Sequence, residues 1–274
     1  WPSSCVASER RDGVEPGPRT FRLALEYDGT DFHGWQVQRA HRSVQGDLED
    51  ALRKLSRGPV RATGAGRTDA GCHAAGQVAS VSMTTRLGAD RLRMALNALL
   101  PRDVRVIEAE EADSGFHARF DAMRRAYRYL IAPGPTAILR RTVWVRPVEA
   151  AVAALNEATR PLLGTHDFTS FSKRGTENDG PECRVTRARW SGSEGRIRFD
   201  IESDRFLYSM VRRIVSTVLR AAEEGSGART IRRVLEVRDR SAAAPPAPAH
   251  GLYLMRVRYP KVGWIPKEPI DVRV

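Results

Sequence analysis

Two runs around residue 190 constrain the architecture most. Residues 196–201, Arg-Ile-Arg-Phe-Asp-Ile, alternate polar and apolar side chains with the period of a half-buried strand, and residues 185–190 read as its partner. Ser193-Glu-Gly195 is the turn between them. A connection that short joins antiparallel strands, because a parallel pair needs a crossover of a dozen residues or more. Strands and helices otherwise alternate along the chain, so the hairpin argues against a purely parallel sheet and the predicted class is α+β.

The remaining periodicities fill in that class. Residues 21–27 alternate as a strand, and Asp28-Gly29 follows as a turn. Val44, Leu48, Ala51, Leu52 and Leu55 make one apolar stripe of a helix that Ser43 caps and Gly58-Pro59 stops. Strands are expected at 60–63 and 77–82, a helix at 90–100 ended by Pro101, and a strand at 104–109. Further on, the pattern predicts a strand at 127–131, an Ala-rich helix over 148–163, a long apolar helix from about 205 to 222, a shorter one at 230–237 and a closing strand at 252–259. Leu207, Val211, Ile214 and Val218 form the buried stripe of the long helix, with Arg212 at its margin. The Ala-Pro run at 242–249 reads as a loop.

Lys and Arg number 45 against 33 Asp and Glu, a formal net charge of +12 over 274 residues. That excess favours a polyanionic partner, since basic side chains that neutralise phosphates release counterions. The excess is mostly Arg, whose planar fork suits phosphate and can stack on bases. A basic protein with no nucleic-acid partner is the alternative on charge alone. Cys5, Cys72 and Cys183 form no C-x-x-C pair, so neither a zinc site nor a disulfide framework is expected. With no membrane-spanning stretch and no secretory signal, a reducing cytoplasm is the simplest home. Residues 1–20 open on Trp1 rather than Met, and their Pro, Gly, Ser and charge content predicts disorder.

The stretch richest in chemistry is Gly64-Ala-Gly-Arg-Thr-Asp-Ala-Gly-Cys-His73. Its glycines call for unusual backbone angles or close approach to a ligand, and Arg67 and Asp69 stand two residues apart in it. A dinucleotide fingerprint fails, because position 69 is Asp and the residues beyond read as strand. From the local residues alone, a hairpin loop in which Asp69 merely satisfies backbone N–H groups is an equal alternative.

Gly66-Arg-Thr-Asp-Ala-Gly71 with His73-Ala74 resembles the active-site loop of the TruA-type tRNA pseudouridine synthase family. Similar blocks follow in collinear order: Tyr27-Asp-Gly-Thr, Phe32-His-Gly-Trp-Gln-Val-Gln38, Ser43-Val-Gln-Gly46, Phe116-His-Ala-Arg119, Arg125-Ala-Tyr-Arg-Tyr129, Gly164-Thr-His-Asp-Phe168, Phe206-Leu-Tyr-Ser-Met-Val-Arg212 and Ala249-His-Gly-Leu-Tyr253. The resemblance implies an isomerase that converts uridine to pseudouridine in the anticodon stem-loop of tRNA, without metal or organic cofactor. It implies two similar halves, residues 21–122 and 123–260, whose antiparallel sheets join around a basic cleft, followed by a tail at 261–274. It also implies a homodimer. Carried onto this chain, Asp69 is the catalytic nucleophile or base, Arg67 helps displace the target base, Tyr127 packs on the flipped uracil, and Arg212 pairs with Asp69. The residue types suit the chemistry: a guanidinium keeps a partly buried carboxylate charged, and a stacked uridine must be flipped before it can react.

Without the resemblance, Tyr127 in an alternating strand is a core residue and Arg212 a surface one. Trp35 could stack on a base or fill the core. His33, His73, His117, His166 and His250 lack ligand-like spacing and are read as structural or RNA-contacting. The chain departs from the family pattern at Cys72, Arg205, Ser209 and Arg213, none of them expected to touch Asp69, Tyr127 or Arg212, with Arg205 and Arg213 available to RNA. The rival readings are a catalytically inactive RNA-binding protein of the same fold and a synthase acting on other RNA.

Overall fold

The computed structural model describes residues 17–173, 180–193 and 196–260. Its frame is one ten-stranded sheet. The strands are β1 (Arg19–Tyr27), β2 (Ala62–Gly64), β3 (His73–Met83), β4 (Val104–Ala112), β5 (Arg124–Ala132), β6 (Trp144–Val145), β7 (Gly164–Asp167), β8 (Glu182–Ser193), β9 (Arg196–Ser203) and β10 (Leu252–Arg258). The helices are α1 (Val44–Leu55), α2 (Ala89–Leu99), α3 (Val152–Thr159), α4 (Met210–Glu223) and α5 (Gly227–Val237). The sheet order is β4-β1-β3-β10-β5-β9-β8-β7, with β2 beside β3 and β6 beside β5.

The mixed α+β class holds, and β8 and β9 pair antiparallel from Val185 to Ser193, with the turn residues 194 and 195 outside the described set. The first four strands form one antiparallel section and β5, β9, β8 and β7 another. Between them lies β10, supplied from the far end of the chain. It runs antiparallel to β5, pairing Leu254 with Tyr127, and parallel to β3, pairing Leu254 with Ala74. Gly76 makes this approach possible, because a Cβ there would fall 2.2 Å from the Met255 carbonyl oxygen.

Helices cover the sheet. In α1, Val44, Leu48, Ala51 and Leu52 are buried as the stripe predicts, and Ser43 Oγ caps the helix by accepting from Gly46 N–H at 3.2 Å. α3 is fixed to β8 through Asn156, whose amide donates to the Trp190 carbonyl and accepts from its N–H. The Trp190 indole donates to Thr159 at 2.8 Å inside a fully buried cluster with Phe199.

Most strand boundaries shift by a few residues, β3 for example starting at His73 and β5 at Arg124, and three differences have a clear physical cause. β1 starts at Arg19, two residues early, because Arg19 and Thr20 pair with Met83 and Ser82; the expected disorder of 1–20 thus fails at those two, while residues 1–16 and the 261–274 tail lie outside the described residues. The helix expected over 148–163 is only α3, then a tight 3₁₀ turn at Arg160–Leu162 where Pro161 lacks the amide that would continue it. The helix expected from 205 begins at Met210, because Ser209 takes a left-handed conformation, φ 61°, that breaks the run. Strands β6 and β7 are too short to leave a periodic signal.

Candidate active site

The loop joining β2 to β3 is held on every side. Gly34, at φ 89°, lies so close beneath it that a Cβ would be 2.6 Å from the Thr68 carbonyl oxygen. Trp35 N–H donates to that same carbonyl at 3.1 Å, and Gly71 N–H donates to the Phe32 carbonyl at 3.2 Å. From β3, the fully buried Gln77 amide donates to the Gly66 carbonyl at 2.7 Å and accepts from Gly66 N–H at 3.3 Å. The Tyr27 hydroxyl and Thr68 Oγ1 are 2.8 Å apart. Fixing both ends of a short loop in this way removes the freedom its glycines would otherwise retain.

Asp69 therefore projects from a rigid base. Its Oδ2 accepts from Arg212 Nη1 at 2.9 Å and from Ser209 Oγ at 3.0 Å. Among the described residues neither contact, nor any other, engages Oδ1. Arg212 sits in the first turn of α4, and its Nε donates to the Ala247 carbonyl at 2.6 Å while Ala247 N–H returns a bond to the Arg212 carbonyl. The Ala-Pro loop thus aims the guanidinium. The ion pair is largely but not wholly buried, the Asp69 side chain being 13% exposed, so a ligand can still reach the carboxylate.

Tyr127 lies on β5 between Leu254 and Ile201, with its ring edge-to-face against Phe206 at 5.0 Å. A Cβ on Gly66 would sit 3.3 Å from its hydroxyl, which sets the phenol beside the Asp69 loop. Burial pushes the phenol well above its ordinary range, so it is neutral at physiological pH. Arg67 is exposed on the same loop. The four residues singled out from the sequence thus fall in one region, with Asp69 and Arg212 in direct contact.

Two expectations about the departures fail. Ser209 bonds the Asp69 carboxylate directly, and Cys72 N–H donates to the Asp69 carbonyl at 3.1 Å. Arg213 turns inward and donates to the carbonyls of Arg240 at 2.5 Å and Ala243 at 3.4 Å, so it braces its own loop. Trp35, 2% exposed, is core. His73 is buried as well, with Nδ1 against Gly29 N–H at 3.1 Å and Nε2 against the Arg141 and His250 carbonyls. Sequence reasoning assigned no role to Gln77, and it named Gly34 and Arg125 only as members of family-like blocks. Arg125 donates to the carbonyls of Ala65, Arg119, Ala122 and Asp204, a meeting of distant segments that the sequence pattern alone does not show. No helix among the described residues is long and apolar enough to cross a membrane.

Comparison with known proteins gives this arrangement its class. A family model described as tRNA pseudouridine synthase matches residues 23–121 and 158–260, the stretches that carry Asp69, Ser209 and Arg212. The chain belongs to that family of tRNA-modifying isomerases. More narrowly, it is similar to proteins named tRNA pseudouridine synthase A. That of Anoxybacillus flavithermus is 43% identical over 243 residues, covering 88% of this chain and 99% of the relative. That of Chlorobaculum tepidum is 42% identical over 247 residues, covering 88% and 98%, and that of Bacillus subtilis 40% over 242 residues, covering 87% and 98%.

Proposed function

We propose that this chain isomerises uridine to pseudouridine in the anticodon stem-loop of tRNA, working as a cytoplasmic homodimer with Asp69 as its catalytic carboxylate. The observation that carries the assignment of Asp69 is its contact with Arg212 at 2.9 Å. A bare carboxylate in an RNA-binding surface would repel phosphate, and binding alone has no use for it. Held at one oxygen by a guanidinium on a rigid loop, it is placed to act as nucleophile or base.

The reaction breaks the N1–C1′ bond, turns the uracil and forms a C5–C1′ bond; C5 loses a proton and N1 gains one, so no atom is added. Arg212 and Ser209 both occupy Oδ2, which leaves Oδ1 to meet the substrate. Oδ1 could open the sequence by attack on C1′ or C6, or by taking the C2′ proton. Arg67, exposed on the same loop, is suited to fill the space left by a flipped uridine. The neutral ring of Tyr127 would hold the detached base while it turns.

The test is incubation of the purified protein with unmodified tRNA transcripts and mapping of pseudouridine at each position. Product in the anticodon stem-loop is expected, and tRNA affinity should fall log-linearly with salt. Product confined to other RNA would move the substrate, and absence of product with every tRNA would favour an inactive RNA-binding protein.

A further inference from the structure

The Phe116-His-Ala-Arg119 block takes no part in the chemistry above, yet the turn it begins is built with care. Its root is buried: Ala118 is fully enclosed, its N–H donates to Ser80 Oγ at 3.1 Å, and its carbonyl accepts from the Tyr259 hydroxyl at 2.7 Å. Phe116 packs edge-on against Tyr259 at 5.2 Å. Above this root, His117 Nδ1 accepts from the N–H groups of both Arg119 and Phe120, and the Asp121 carboxylate accepts from His117 N–H at 2.8 Å. The tip is Phe120, 71% exposed, stacked on the His117 ring at 4.3 Å with a 25° tilt and with the Arg119 guanidinium 5.5 Å from its centre. Most of this ring lies in water rather than in the core, so burial does little to explain it.

Its position suggests what it is for. Arg125 Nη2 donates to the Arg119 carbonyl at 2.6 Å and to the Ala65 carbonyl at 3.0 Å, so one guanidinium ties this turn to the foot of the Asp69 loop. We infer that the His117–Phe120 pair is a stacking platform on the rim of the active site, which receives an unpaired base of the tRNA flanking the target uridine, with Arg119 beside it for the phosphate. The inference rests on the proposed tRNA substrate. A preformed aromatic face lowers the ordering cost of binding and accepts any base, because every base has a π face. It would add affinity for an unstacked loop without choosing its sequence.

The experiment measures tRNA affinity by fluorescence anisotropy at fixed salt for the unaltered chain and for Phe120→Ala, Phe120→Leu and Phe120→Trp, each first checked for an unchanged thermal melt. Ala and Leu should both weaken binding by about tenfold and Trp should retain it. The salt slope should be unchanged in all three, whereas Arg119→Ala should lower it by about one. Equal affinity for Ala and the unaltered chain would overturn the platform, and so would full retention by Leu, which keeps bulk without a π face. A free protein that falls from dimer to monomer on Phe120→Ala would assign the surface to a second copy instead. Pseudouridine formation by the unaltered chain is a separate control on the catalytic reading; the platform stands or falls on the affinity comparison.

Discussion

Arg212 Nη1 meets Asp69 Oδ2 at 2.9 Å although 143 residues separate them in the chain. The two arrive from different sections of the sheet, one on a strand-to-strand loop and the other on the first turn of α4. Asp69→Asn keeps the shape and removes the charge, so turnover should vanish while the thermal melt is unchanged and tRNA binding is unchanged or tighter. Full pseudouridine formation by that variant would sink the assignment. Arg212→Lys retains a cation but cannot reach Asp69 and Ala247 together, so partial activity at best is expected, and Arg212→Ala should fall below it.

Ser209 separates stability from activity in one position. Its φ of 61° is unfavourable for any side chain, at a cost of about 1 kcal/mol that glycine does not bear. Ser209→Gly should therefore melt no lower than the unaltered chain and yet lose about tenfold in kcat through the missing bond to Asp69. A variant with undiminished kcat would show the hydroxyl to be incidental.

For Tyr127, the ring and the hydroxyl can be tested apart. Phe at this position preserves the edge-on contact with Phe206, so fold and binding should survive. A fall in kcat would then locate a proton-transfer role in the hydroxyl. Tyr127→Leu removes the flat face and should cost activity even where the fold persists. Unchanged kcat and KM in the Leu variant would make the residue core alone.

Burial pushes the thiols of Cys72 and Cys183 up to about 12. An unfolded thiol ionises near pH 8.5, so as pH rises above that value the unfolded chain loses these protons first and stability drops toward pH 12; below about 8.5 there is no such penalty. At pH 8 a maleimide should label Cys72 and Cys183 only in denaturant, as read by peptide mass spectrometry. Rapid labelling of either in the native protein would contradict its burial.

The hairpin 185–201, the Ser43 cap and the α1 stripe were legible because each depends on neighbours a few residues away. Asp69 was legible only through its loop motif. What escaped were meetings across the sheet: Gln77 on Gly66, Gly34 beneath Thr68, and the four carbonyls gathered by Arg125. The start of α4 was misjudged for a different reason. The apolar stripe continues through Leu207, and the left-handed turn at Ser209 interrupts the helix within it. A periodicity reports which side chains are buried and is silent about a single backbone reversal.

β10 gives the synthesis of this enzyme a direction. A ribosome completes β3 with its Asp69 loop and β5 with Tyr127 long before it reaches Leu252, yet β10 is the strand that sets the two in register. Until that segment is made, the inner edges of β3 and β5 lack the strand that pairs with both of them. A chain stalled short of Leu252 would hold nearly every residue named here and would still lack the strand that lies between the one carrying the Asp69 loop and the one carrying Tyr127.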